Sequence, residues 1–199
     1  MTWVKLCGMT RRRDVEAAVG VGADAVGFVV APVSPRCVPL DLVAGLGAGI
    51  TIDRFLLTVD ADPDWVLAAA MSSGMSGVQP HGANAAATAR LALSAGLKVL
   101  FPIPVMMTTP SIDDVPEGAR PLFDTGGTGT HGGTGRPFSW GLASGVDGEF
   151  VIAGGLTAES VAGAIAKSGA WGVDVASGVE AAPGIKDHDL MRRFVEATR

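Results

Sequence analysis

The sequence predicts an α/β protein, a single (β/α)8 barrel spanning residues 1–199 as one catalytic domain. Three observations lead there. Eight short apolar runs recur along the chain, longer Ala-rich segments follow most of them, and polar residues gather where the runs end. The runs are continuously apolar rather than alternating, as parallel strands buried on both faces must be. An open doubly wound sheet shares that pattern and is the rival architecture. At 199 residues the chain is short for a barrel but long enough for one sizeable core.

The elements follow in order. WVKLC (3–7) reads as strand one and DVEAAVGVG (14–22) as a modest helix. AVGFVVAP (25–32) is a buried strand, VPLDLVAGLGAG (38–49) a helix and RFLLTV (54–59) a strand. DPDWVLAAAM (62–71) is a better helix, with an Asp at its start and Trp65, Leu67 and Ala68 in its apolar part. GVQP (77–80) is a short strand, and ANAAATARLALSAG (83–96) is the strongest helix former by composition. KVLFPIP (98–104) is strand five, followed by a poor helix candidate at SIDDV (111–115) and strand PLF (121–123). The remainder reads as helix FSWGLA (138–143), strand FVIAG (150–154), helix TAESVAGAIAKSG (157–169), strand AWGVDVAS (170–177) and helix KDHDLMRRFVEAT (186–198).

A formal net charge of -5 argues against broad affinity for nucleic acid or anionic membranes, while a local basic patch can still hold a small anion. Cys7 and Cys37 supply no secreted disulfide framework, and no basic start leads into an apolar signal segment. The longest apolar stretch, VLFPIPVMM (99–107), is too short to span a bilayer and contains prolines. A soluble cytoplasmic protein is expected, and a monomer, since no segment looks like a surplus apolar interface.

In either α/β architecture ligands meet the carboxyl ends of strands. Cys7 closes strand one, Ser34 and Arg36 follow strand two, Asp60 follows strand three, and Gln79 and His81 end strand four. Asp124 closes strand six, Gly154 and Gly155 end strand seven, and Asp174, Ser177 and Gly178 mark strand eight. Taken alone, Cys7 reads as a small buried hydrophobe. Gly8 behind it allows a sharp exit and close substrate approach, where a thiolate could abstract a proton. Asp124 alone reads equally as a turn former, a cap or an acid facing the glycine loops. The two GGTG segments that follow it lack the GKS or GKT of a Walker loop, and each alone reads as a tight or flexible turn. GGLT (154–157) is the stronger anion candidate, because it follows an apolar strand and opens a helix; ASGVE (176–180) is its companion.

Other polar groups read as structural. Asp60 could cap the segment 62–71, Cys37 packs or caps the next element, and Arg11, Arg12 and Arg13 form a solvated start to helix one. His81, His131 and His188 show no metal-ligand spacing, so no metal is expected. Trp65 and Trp171 read as packing residues rather than stacking platforms.

VKLCGMTR, GADAVGFVVAPVSPR, VQPHG, FD followed by GGTGRPFSW, IAGGLT and GVDVASGVE stand in the order seen in the phosphoribosylanthranilate isomerase family of tryptophan biosynthesis. The likeness runs from the first strand to Lys186–Asp187, and its joint order is far more specific than any one motif. The resemblance implies a (β/α)8 barrel that isomerises N-(5-phosphoribosyl)anthranilate, a phosphorylated small molecule, by Amadori rearrangement, with neither metal nor cofactor. By position Cys7 resembles the general base, Asp124 the general acid and Arg36 the residue that meets the anthranilate carboxylate. Gly154, Gly155, Asp174, Ser177 and Gly178 resemble substrate- and phosphate-binding positions, and Gly132, Gly133, Thr134 and Gly135 a lid loop. Three positions depart from the family pattern: Pro80 replaces leucine, GANA replaces an acidic pair after HG, and Asp60 replaces asparagine. The proline removes a donor and predicts an irregular strand four. A histidine-pathway phosphosugar isomerase is the nearest alternative, although two aspartates rather than Cys7 would then be expected. A non-catalytic barrel that binds phosphoribosyl ligands is the other.

Overall fold

The computed structural model describes residues 1–105, 107–125 and 139–199. Eight parallel strands close into a barrel in sequence order: β1 (Trp3–Cys7), β2 (Ala25–Val29), β3 (Asp53–Val59), β4 (Gly77–His81), β5 (Lys98–Val105), β6 (Arg120–Thr125), β7 (Val151–Ile152) and β8 (Gly172–Val175). The barrel reading therefore holds and the open sheet does not. Closure is made by β1 against β8, in register from Trp3–Gly172 to Leu6–Val175.

Strand side chains alternate between two cores, because successive residues point to opposite faces. Val4, Leu6, Val26, Phe28, Leu56, Phe123, Ile152 and Val173 face outward and join the layer under the helices. Cys7, Ala25, Phe55, Leu57, Leu100, Leu122 and Val151 fill the barrel interior. This alternation aims Cys7 and Asp124, on different strands, into one space.

The helices are α1 (Arg12–Gly20), α2 (Leu40–Leu46), α3 (Pro63–Ser72), α4 (Ala85–Ser94), α5 (Val161–Ser168) and α6 (His188–Glu196). Asp62, not Asp60, caps α3: its Oδ1 accepts from the Trp65 N–H at 3.0 Å, and Pro63 fills the first helical position. The buried face of α3 is Val66, Ala69 and Ala70, while Trp65 points outward at 44% exposure, so the packing role expected for Trp65 is wrong. Trp171 does pack, stacked on Trp3 with centroids 5.3 Å apart. α6 buries Met191, Phe194 and Val195 and is capped by Asp187, which accepts from the N–H groups of Asp189 and Leu190.

Several boundaries move. α1 starts at Arg12 rather than residue 14, and Arg11 is not simply solvated: it forms a two-bond ion pair with the fully buried Asp14. Residues 111–115 form turns and no helix, and residues 140–143 form a single 3-10 turn. β7 is two residues long and β8 four, both shorter than their apolar runs. After β8, a 3-10 turn (Ser177–Val179) leads into an unanticipated hairpin, β9 (Glu180–Ala182) with β10 (Ile185–Lys186). Strand four is irregular on one side, as Pro80 predicts. β3 pairs with β4 through Pro80 and His81, but β4 meets β5 only at Gly77–Lys98 and Val78–Val99.

Candidate active site

A cavity of about 700 Å³ opens at the carboxyl ends of the strands, and every proposed site residue outside 132–135 lines it. The Gly132–Gly135 lid and the His131 reading lie outside the described residues.

Cys7 sits at the floor of the cavity, 5% exposed. Two residues earlier on the same face of β1 comes Lys5, fully buried. A lone ammonium cannot stand in a barrel interior. Lys5 Nζ accordingly donates to Gln79 Oε1 and Asp174 Oδ2, each at 2.8 Å. Room for this pair comes from Gly27 on β2, where a methyl group would sit 2.8 Å from Cys7 Sγ and 3.1 Å from Lys5 Cε. Burial pushes the Cys7 thiol above its ordinary value, against the pull of the Lys5 ammonium. Burial pulls the Lys5 pKa down, and Asp174 and Cys7 together more than offset it, so the ammonium is held above its ordinary value.

Asp124 is the next-to-last residue of β6, which ends at Thr125, close to the strand-end position expected for it. Burial raises its pKa to about 6, partly opposed by the Thr125 N–H that donates to Oδ1 at 2.7 Å. This carboxyl keeps its proton nearly to neutrality and is an acid by environment.

The loop after β7 carries the glycines expected to meet an anion. Gly154 and Gly155 take φ of 86° and 66°, and their N–H groups make no hydrogen bond among the described residues. A side chain at Gly154 would strike Thr125 Oγ1 at 2.2 Å and Asp124 Oδ1 at 2.8 Å. One at Gly178 would strike the Leu156 carbonyl at 1.9 Å, so the loops after β7 and β8 lie back to back. Paired backbone loops of this kind suit a phosphate. GGLT does not open a helix directly, however: a turn at 158–160, tied by the Ser160 Oγ that accepts from Thr157 N, precedes α5.

At the mouths of β1 and β2, Arg36 lies across Gly8, whose missing side chain leaves space for Arg36 Cδ at 2.6 Å. Gly8 thus makes room for Arg36. Asp60 and His81 also line the cavity. The Asp60 Oδ1 accepts from Ala83 N at 2.7 Å, with a left-handed φ of 50°, and His81 Nε2 lies 3.2 Å from Gln79 Nε2. Cys37 is free and half-buried, its backbone bridged to Val29.

The family model described as PRAI, N-(5'phosphoribosyl)anthranilate (PRA) isomerase, matches residues 4–197. The chain belongs to the phosphoribosylanthranilate isomerase family. The family enzyme of Rhodopseudomonas palustris strain BisB18 is 41% identical over 207 residues, covering 98% of this chain and 95% of that protein. The one from Rubrobacter xylanophilus is 37% identical over 205 residues, with both chains covered in full. Among solved isomerases, that of Thermotoga maritima aligns with a TM-score of 0.86 at 31% identity, over 99% of this chain and 98% of that one. A further structure, at 29% identity and TM-score 0.82 over 99% and 98% of the two chains, is phosphoribosyl anthranilate isomerase in complex with reduced 1-(o-carboxyphenylamino)-1-deoxyribulose 5-phosphate.

The isomerase motifs contain Lys5, Glu180 and Lys186 but suggested no role for any of them. A signal for Lys5 existed: WVKLC and GVDVAS each hold one charge, of opposite sign, in an otherwise apolar strand. Neither charge can be buried without the other. Glu180 and Lys186 belong to a hairpin whose strands are too short to mark themselves in sequence.

Proposed function

We propose that the chain converts N-(5'-phosphoribosyl)anthranilate to 1-(2-carboxyphenylamino)-1-deoxyribulose 5-phosphate, with Asp124 as general acid and Cys7 as general base. The observation that carries this reading is the placement of a thiol and a proton-holding carboxyl in one cavity that a pair of glycine loops also lines.

Asp124 gives its proton to the furanose ring oxygen as the C1′–O bond breaks and the anilino nitrogen lone pair forms a protonated Schiff base. The Cys7 thiolate then removes the C2′ proton, and the released electrons form the C1′–C2′ double bond while neutralising the nitrogen. The enol loses its hydroxyl proton and C1′ gains one, giving the ketone. No electrons leave the substrate. Gly154, Gly155, Ser177 and Gly178 hold the phosphate, so binding energy at the unreactive end orients C2′ over Cys7. Arg36 takes the anthranilate carboxylate as a charge-assisted fork, and Asp174 orients groups at the cavity floor through Lys5. The protein works as a cytoplasmic monomer, for which sedimentation at micromolar concentration is the check; among the described residues no helix is long and apolar enough to cross a membrane.

The test is the fluorescence decay of freshly generated phosphoribosylanthranilate. Wild type should turn it over, and Cys7→Ser should lower kcat by at least roughly 100-fold with a much smaller change in KM. Near-normal turnover by Cys7→Ser removes the base assignment. A parallel assay with the histidine-pathway aminoaldose separates the two isomerase readings.

A further inference from the structure

Arg36 enters the cavity with half of its guanidinium already engaged. A guanidinium has two flat edges, each offering two parallel N–H bonds: Nε with Nη2, and Nη1 with Nη2. Glu180 occupies the first, its Oε1 accepting from Nε at 2.8 Å and its Oε2 from Nη2 at 2.7 Å. Nη1 makes no hydrogen bond among the described residues, and Arg36 lines the cavity. The unoccupied edge is therefore the one left for a ligand.

Glu180 is itself held from three sides. Lys186 Nζ, buried, donates to Oε1 at 2.9 Å, and the Gly184 N–H reaches the same oxygen at 3.2 Å. Burial would push the Glu180 carboxyl up, but Arg36 and Lys186 together hold it below its usual range, so it stays ionised. Burial draws the Lys186 pKa down against the pull of Glu180; with Lys186 charged, two cations share one carboxylate, which leaves a net positive charge beside the cavity. The hairpin is fixed to the barrel as well: Arg11 Nη2 donates to the Lys186 carbonyl at 3.1 Å, and Thr10 Oγ1 donates to the Gly184 carbonyl.

We propose that Glu180 is a positioning residue that sets specificity for an aryl carboxylate, by clamping the Nε edge of Arg36 and presenting the Nη edge to the substrate. Lys186 prevents that clamp from cancelling the charge on Arg36. The inference rests on the reading of Arg36 given above and adds the geometry of the contact: the carboxylate is taken end-on.

The experiment compares two substrates, N-(5-phosphoribosyl)anthranilate and N-(5-phosphoribosyl)aniline, which lacks the carboxylate. The quantity read is the ratio of their kcat/KM values, in which a general loss of active protein cancels. Glu180→Gln should lower the ratio by roughly tenfold, chiefly through KM for the carboxylated substrate. A ratio within about threefold of wild type overturns the proposal, because a merely structural role lowers both substrates together. Arg36→Met is the control. If it too leaves the ratio intact, Arg36 does not read the carboxylate and the underlying assignment fails. If it collapses the ratio while Glu180→Gln does not, only the positioning role fails. Glu180→Gln/Lys186→Met removes both buried charges together and is read by the same ratio should the single variant not fold.

Discussion

Ionising Asp124 inside the fold costs free energy that ionising it in the unfolded chain does not, since its pKa rises from 3.8 to about 6. Below the unfolded value both states hold the proton and the cost is absent. It grows as pH rises from there and is complete once pH passes the folded value, reaching roughly 2–3 kcal/mol. Asp124→Asn should therefore be more stable than wild type by about 2 kcal/mol at pH 8, with the gap closing below pH 4, as read from urea unfolding at both pH values. The same shift shapes the rate. With the thiol above its ordinary value, the form that the proposed mechanism requires, thiolate with protonated carboxyl, is always a minor form of the pair. The kcat/KM profile of wild type should rise to a plateau near pH 6 and fall only when the thiol itself titrates. In Asp124→Asn the small residual activity should lose that plateau and keep rising through neutrality, following the thiolate. Sequence reading identified both residues by their place at strand ends. Their pKa shifts were not legible, because they depend on how deeply each group is buried and on what faces it from other strands.

Lys5 and Asp174 join β1 to β8 as a pair with side-chain exposures of 0% and 6%, across the seam that closes the barrel. Removing one member leaves the other charged and buried, so Lys5→Met should cost about 3–5 kcal/mol in chemical denaturation. Lys5→Met/Asp174→Leu, which removes both charges, should recover most of that loss. Recovery would show that the pair is kept for the site's electrostatics rather than for stability. At this scale the sequence was readable where a pattern repeats. All eight strands came from apolar runs, and α4 came from its alanines. The segment 111–115 failed because SIDDV carries no apolar stripe to bury. The hairpin was missed because its three- and two-residue strands are held by Thr10, Arg11 and Asp14 on a distant element.

Across the whole molecule, α6 completes the ring. It seals the outer core with Met191, Phe194 and Val195, and Arg199 Nη1 donates to the Thr2 carbonyl at 2.9 Å, bringing the last residue beside the first strand. We take the 199 residues to fold as one unit. Three buried side chains contribute roughly 5–8 kcal/mol, comparable to the entire stability of an ordinary domain. A chain ending at Asp187 should show no cooperative thermal transition, where the full chain shows one by circular dichroism. The site was legible at this scale because a barrel gathers its strand ends in one place. Cys7, Asp124 and Asp174 are scattered through the sequence and adjacent only after closure. Glu180 stayed hidden because its partner, Arg36, lies 144 positions away in the chain.

Gly154, pressed against Asp124 and Thr125, has a historical consequence as well as a mechanical one. A lineage descending from this chain can drift at most surface positions one change at a time. At 154 it cannot: any first step toward a larger residue displaces Asp124, the proposed proton donor, before a second step could compensate. The loop proposed to hold the phosphate and the strand that carries Asp124 are thus inherited together.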